Sequence, residues 1–146
     1  MNPVRDHRTT YVSNGVKTFA TDIRVRYQET DNMGVVYYAN YLVWFEVART
    51  EFLRSMGLVY RDLEKKGYYL MVAAISCRYK SPARYDDIVR AETWIEELKN
   101  SSLKFGYRLS VGGKPVATGD SVHVFTNSKG KPVRMPEEIR SLPVNA

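Results

Sequence analysis

Residues 25–58 read VRYQETDNMGVVYYANYLVWFEVARTEFLRSMGL, and the fold turns on the second half of that stretch. From about Tyr38 to Met56 apolar residues recur at helical spacing: Tyr41, Phe45, Ala48, Phe52 and Met56 lie four, three, four and four apart. Leu42, Val43, Trp44 and Val47 make the first half apolar nearly all round. A helix apolar on most sides is buried on most sides. Gly57 then offers a left-handed C-cap.

Working outward, the segment before the helix alternates. Ile23, Val25 and Tyr27 fall on one face and Arg24 and Arg26 on the other, which predicts a strand over about 21–28. A loop from Glu29 to about Val36 carries Asp31, Asn32 and Gly34. After the helix, a short polar helix or turn is expected near 61–66. Four strands follow. Residues 69–80 align Met71, Ala73, Ile75, Cys77 and Tyr79; 88–98 align Val89, Ala91, Thr93 and Ile95. Residues 101–111 align Leu103, Phe105, Tyr107, Leu109 and Val111; 115–126 carry Val116, Val122, Val124 and Thr126. Turn residues separate them at Ser81-Pro82, Lys99-Asn100, Gly112-Gly113 and Lys129-Gly130. Short connections imply antiparallel pairing, and one helix on such a sheet is an α+β layer architecture. One sheet face cannot cover a helix that is apolar all round, so either the sheet curls round it or a second subunit closes it off. Residues 1–20 read as a polar tail or arm, 21–146 as a single domain, and Pro132, Pro136 and Pro143 mark an irregular C-terminal tail.

The composition narrows the chemistry. The chain has 146 residues, 44% apolar and 26% charged, with net charge +6. A basic balance favours anionic partners, but the Lys and Arg residues are scattered, which argues against a nucleic-acid tail. A single cysteine, Cys77, excludes an intrachain disulfide and makes a reducing, cytoplasmic setting the expectation. No apolar run is long enough for a membrane span, and the first 20 residues lack the apolar region of a secretory signal. Only two histidines occur, His7 and His123. The segment Gly119-Asp120-Ser121-Val122-His123 lacks the second glycine of a nucleophile elbow and sits inside a strand pattern. One Cys and two distant His do not make a zinc site, so no metal and no cofactor are expected. Phosphate-cradling glycine motifs are absent from the sequence. What remains is carboxylates and backbone dipoles. Asp31 is the best placed carboxylate, although a turn or cap aspartate is common at such a junction.

The stretch Glu29-Thr30-Asp31, Gly34-Val35-Val36-Tyr37, Tyr41 and Glu46-x-Ala48-Arg49 resembles the hot-dog-fold thioesterases of the 4-hydroxybenzoyl-CoA thioesterase and YbgC-like type. Residues 81–87 (SPARYDD) and 130–136 (GKPVRMP) resemble the family's later blocks. The resemblance implies a hot-dog fold: a curved antiparallel sheet wrapped round one long central helix. It also implies subunits paired edge to edge, as homodimers or homotetramers, with active sites at the interface. The implied activity is hydrolysis of a small or medium acyl- or aroyl-CoA. Asp31 would be nucleophile or general base, and the helix N-terminus near Tyr38 would supply an oxyanion hole. YbgC-like members usually carry His where this chain has Tyr38; other members of the superfamily carry Tyr.

Gly34, Val36, Tyr37, Trp44 and Glu46 are the implied substrate-side residues, with core packing the rival role for the aromatic ones. Glu46 either pairs with Arg49 or caps the site. Coenzyme A is anionic, so Arg84 and the turn Lys99, Asn100, Ser101 and Ser102 are candidates to hold it. Ordinary solvated turns are the alternative. Four rival functions are a hydratase, which would need a histidine near the helix; a non-catalytic acyl-CoA or lipid-binding module; an acyl-carrier-protein thioesterase; and a basic nucleic-acid binder, expected to bind weakly or not at all.

Overall fold

The computed structural model describes residues 9–13 and 16–144, with side chains from Thr18 onward. The elements are β1 (Thr9–Ser13), β2 (Val16–Arg24), α1 (Asn40–Ser55), α2 (Tyr60–Lys65), β3 (Tyr69–Tyr79), β4 (Ile88–Leu98), β5 (Ser102–Val111), β6 (Lys114–Thr126) and α3 (Glu137–Arg140). The strands form one antiparallel sheet in the order β1-β2-β4-β5-β6-β3. α1 lies across it, the wrapped-helix arrangement of the hot-dog fold.

Several boundaries differ from expectation. The sheet begins before residue 21: β2 starts at Val16 and pairs with β4, and β1 pairs with β2. Much of the stretch expected as a tail or arm is therefore sheet, anchored by the buried Phe19 and Ala20. His7 lies outside the described residues. β2 stops at Arg24, so Tyr27 is not on its buried face; it sits in a 3-10 turn over Tyr27–Glu29 and is 77% exposed. The C-terminal tail contains α3, which begins after Pro136 and buries Ile139.

α1 buries Tyr41, Trp44, Phe45, Ala48, Arg49, Phe52 and Leu53. Phe45 stacks on Tyr107 of β5 at 4.3 Å, and Phe52 packs edge-on to Phe105 and Phe19. Gly119 permits this approach, since a Cβ there would run into the Ser76 carbonyl oxygen and the Phe45 ring. The helix is not covered all round: Val43 and Glu46 are exposed. Glu46 faces outward while Arg49 turns inward, so the two do not pair.

β3 and β6 also depart from the alternation. β3 is an edge strand bonded only to β6, and its residues 71–76 are exposed on both faces. On β6 the inward residues from 121 onward are Ser121, His123 and Phe125, while Val122 and Val124 stay half-buried. The polar pair is tolerated because it is bonded: the Tyr107 and Ser121 hydroxyls lie 2.5 Å apart, and Ser121 Oγ lies 2.7 Å from His123 Nε2. Arg49 is buried in the same core, with Nε and Nη1 lacking hydrogen-bond partners.

A second buried polar group fixes the entrance to α1. Glu29 is 4% exposed. Its Oε2 accepts the Trp44 indole N–H at 3.0 Å, and its Oε1 accepts the Arg26 backbone N–H at 2.8 Å. Its carbonyl accepts the Tyr37 N–H at 2.9 Å and the Asn40 side-chain amide at 2.9 Å. Both ends of the loop 29–37 are thereby tied to the helix.

Two measurements test this account. Trp44→Phe keeps a ring but leaves the Glu29 carboxylate short of a donor. Urea unfolding is expected to show a loss of about 1.5–3 kcal/mol; a loss below about 0.5 kcal/mol would mean the bond holds nothing. Burial, with the Arg49 charge adding to it, lowers His123 from 6.5 to about 3. Between those values the unfolded chain binds a proton that the native state refuses, so stability falls as pH drops from about 6.5 toward 3. His123→Gln should lose that part of the slope, which grows toward about 1.4 kcal/mol per pH unit below pH 6, when urea melts at pH 7, 6 and 5 are compared with wild type. Equal slopes would contradict it.

Candidate active site

Asp31 opens a tight turn between β2 and α1. Its N–H donates to the Val35 carbonyl at 2.8 Å and its carbonyl accepts the Gly34 N–H at 3.0 Å. Gly34 has φ +78°, a left-handed conformation that suits glycine. Thr30 and Val36 bridge across the turn. The Asp31 side chain is exposed, and Oδ1 accepts the Met33 N–H at 2.8 Å. Among the described residues nothing else engages the carboxylate, so one oxygen braces the turn and the other is open. The turn-aspartate reading is thus correct as local structure, and it leaves one carboxylate oxygen exposed.

Tyr37 and Tyr38 follow, 47% and 61% exposed, with rings 4.6 Å apart. The hydrogen bond to Tyr38 raises the Tyr37 phenol above its ordinary value. α1 starts at Asn40 rather than at Tyr38, with Ala39 as N-cap. The first bonds of the turn are Asn40 N–H to Tyr37 O at 2.9 Å, Tyr41 N–H to Tyr38 O at 3.4 Å and Leu42 N–H to Ala39 O at 3.2 Å. Among the described residues neither the Tyr38 nor the Ala39 N–H donates to a backbone carbonyl. These are the unpaired donors that a helix start leaves at its positive end.

The other candidates divide. Arg84 is at this end: its backbone bridges Val35, and its N–H donates to Asp87 Oδ2 at 2.8 Å. Val36 in the loop and Trp44 on α1 are buried, at 4% and 1% exposure, so they shape the loop from beneath and have no open surface. Glu46 lies farther along α1 on the exposed side. The turn Lys99–Ser102 is at the opposite end of the sheet, beyond Leu98, whereas the Asp31 loop lies near Ile88. Eleven residues of β4 separate those ends, roughly 35 Å of strand. That turn is tied to the C-terminal segment, with Asn100 O accepting the Met135 N–H at 2.9 Å. A cavity of about 290 Å³ there is lined by Leu98, Lys99, Asn100, Met135 and Arg140. A cavity of about 350 Å³ on the outer sheet face, lined by Arg78, Trp94, Glu96 and Arg108 among others, includes none of the candidates.

Glu29, Asn40 and Tyr79 belong to this constellation without having been expected there. Glu29 had a signal in its place beside Asp31; Tyr79 had none, because its partner is the carbonyl of Tyr38, 2.9 Å away across the fold. The Ser121–His123 contact has the atoms of a hydrolase dyad, but Ser121 is 0% and His123 1% exposed and they sit two apart on one strand face. Burial keeps that histidine neutral. Among the described residues no three metal-ligating side chains cluster, and no helix is long and apolar enough to cross a membrane.

Known proteins carry the same framework. YneP of Bacillus subtilis is 39% identical over 115 residues, covering 77% of this chain and 83% of that protein. The acyl-CoA thioesterase YbgC of Haemophilus influenzae is 34% identical over 125 residues, covering 84% of this chain and 92% of that one. The crystal structure of a DHNA-CoA thioesterase from Staphylococcus aureus superposes with TM-score 0.77 at 34% identity, covering 79% of this chain and 78% of that one. The profile of the thioesterase-like superfamily matches residues 25–142, and the chain belongs to that superfamily.

Proposed function

We propose that this chain hydrolyses a small or medium acyl- or aroyl-CoA to the free acid and CoA, with Asp31 at the centre of the reaction. One observation carries the reading: an open carboxylate and two unpaired backbone N–H groups at a helix start share the short segment 30–39 between the tied residues Glu29 and Asn40. A thioester carbonyl directed at the Tyr38 and Ala39 N–H groups would have its developing oxyanion stabilised by them. Asp31 then either attacks the carbonyl carbon, giving a mixed anhydride that water opens, or takes a proton from the attacking water. In both routes the C–S bond breaks and CoA leaves as its thiolate. Exposed rings of Tyr37, Tyr38 and Tyr79 beside the loop favour a flat acyl group. A cytoplasmic location, where a single unpaired cysteine stays reduced, belongs to the same proposal.

The proposal includes a homodimer. β3 presents a bare edge with Met71, Val72, Ile75 and Tyr79 40–53% exposed. A long apolar edge invites a further strand. Antiparallel pairing of two β3 strands about a two-fold axis would reverse one sheet against the other. It would carry the partner's Lys99–Ser102 turn to the end where this chain holds Asp31 and Arg84. The anionic nucleotide of CoA would then lie between basic groups of two chains.

Thiol release from short, long and aromatic acyl-CoAs tests the chemistry. Wild type should release CoA, and Asp31→Asn should lose about 10²–10⁴ of that rate while remaining folded. An equally active variant removes Asp31 from the mechanism. If wild type cleaves no member of the panel, the binding-module and carrier-protein readings take its place. Light scattering tests the pairing: wild type should have at least twice the 16.8 kDa chain mass, and Ile75→Arg should shift it toward one chain and depress activity. A monomeric, active wild type would rule the shared site out.

A further inference from the structure

Tyr79 closes β3 at the sheet edge, where β3 is bonded to β6 alone. Its hydroxyl donates to the Tyr38 carbonyl oxygen at 2.9 Å. Its ring stands edge-on to Tyr38 at 6.5 Å and to Tyr41 at 5.1 Å, which fixes the direction of the hydroxyl. Partial burial pushes the phenol up to about 12, with Cys77, Tyr41 and Tyr38 acting in the same direction, so the donor keeps its proton.

The Tyr38 carbonyl and the Ala39 N–H belong to one peptide unit. That unit is planar and trans, so its C=O and N–H point in opposite directions and turn together. The only backbone donor to the Tyr38 oxygen among the described residues is the Tyr41 N–H, at 3.4 Å. The Tyr79 hydroxyl is the shorter contact by half an ångström. It also polarises the amide, which makes the N–H opposite a better donor.

We infer that Tyr79 is a positioning residue: by holding the Tyr38 carbonyl it aims the unpaired Ala39 N–H at the thioester carbonyl. This rests on the proposed hydrolase reading and adds a hydroxyl that acts on the loop peptide and not on a reacting atom. Glu29 clamps the loop from the core side, and Tyr79 fixes the peptide plane from the sheet edge.

Tyr79→Phe tests the inference because it deletes one oxygen and keeps the ring contacts. On whichever acyl-CoA wild type cleaves, kcat should fall about 10-fold with KM within about twofold, the pattern of an interaction realised in the transition state. A purely structural role would lower thermal stability and leave kcat of the folded enzyme unchanged. A kcat within about twofold of wild type, or a change confined to KM, overturns the positioning role. If Asp31→Asn abolishes thiol release and Tyr79→Phe does not slow it, this inference fails and the proposed activity stands. If wild type releases no thiol from any acyl-CoA, both fall together.

Discussion

A carboxylate that is taken out of water must be given donors, and the entrance to α1 is organised by that requirement at Glu29. Trp44 supplies a donor from the helix and the Arg26 backbone another from the incoming chain. The same residue's carbonyl receives Tyr37 and Asn40. Between Glu29 and Asn40 the chain has only residues 30–39 in which to turn, and one cross-bridge and one left-handed glycine complete it. The open carboxylate and the unpaired amides therefore share a short segment whose two ends cannot separate. A segment held this way gains precision from the core while its candidate groups stay open to solvent.

How far the sequence was readable follows from which forces set each feature. The phase of α1 and the strand faces of β4 and β5 were legible, because apolar side chains at positions such as Phe45, Ala91 and Phe105 decide them. The tight turn at Asp31 was legible from Gly34 and from its place between strand and helix. β6 was misphased because its inward positions carry Ser121 and His123, whose burial is made possible by the Tyr107 hydroxyl on another strand. β3 was read as a strand with Met71, Ile75 and Tyr79 aligned on one face; position in the sheet, which periodicity does not encode, leaves them open. β2 began earlier than read because Thr18 and Thr21 line its buried positions beside Phe19 and Ala20.

The candidate residues show the same division. Trp44 looked like a pocket wall and is a strut; its indole is spent on Glu29. Glu46 and Arg49 are three apart, a spacing that often pairs, yet one faces solvent and the other the core. Tyr79 was invisible because a hydroxyl bonded to a distant carbonyl leaves no trace in spacing.

Candidate groups at both ends of a long strand have a genetic consequence if the proposed pairing holds. One allele could lose the loop carboxylate and a second the basic turn, each inactive alone. A mixed dimer of the two would still assemble one complete site, from the loop of one chain and the turn of the other. Its second site would carry both lesions. Two null alleles of this kind would complement each other within one gene, reaching up to half the activity per dimer, whereas two lesions in the same loop would not.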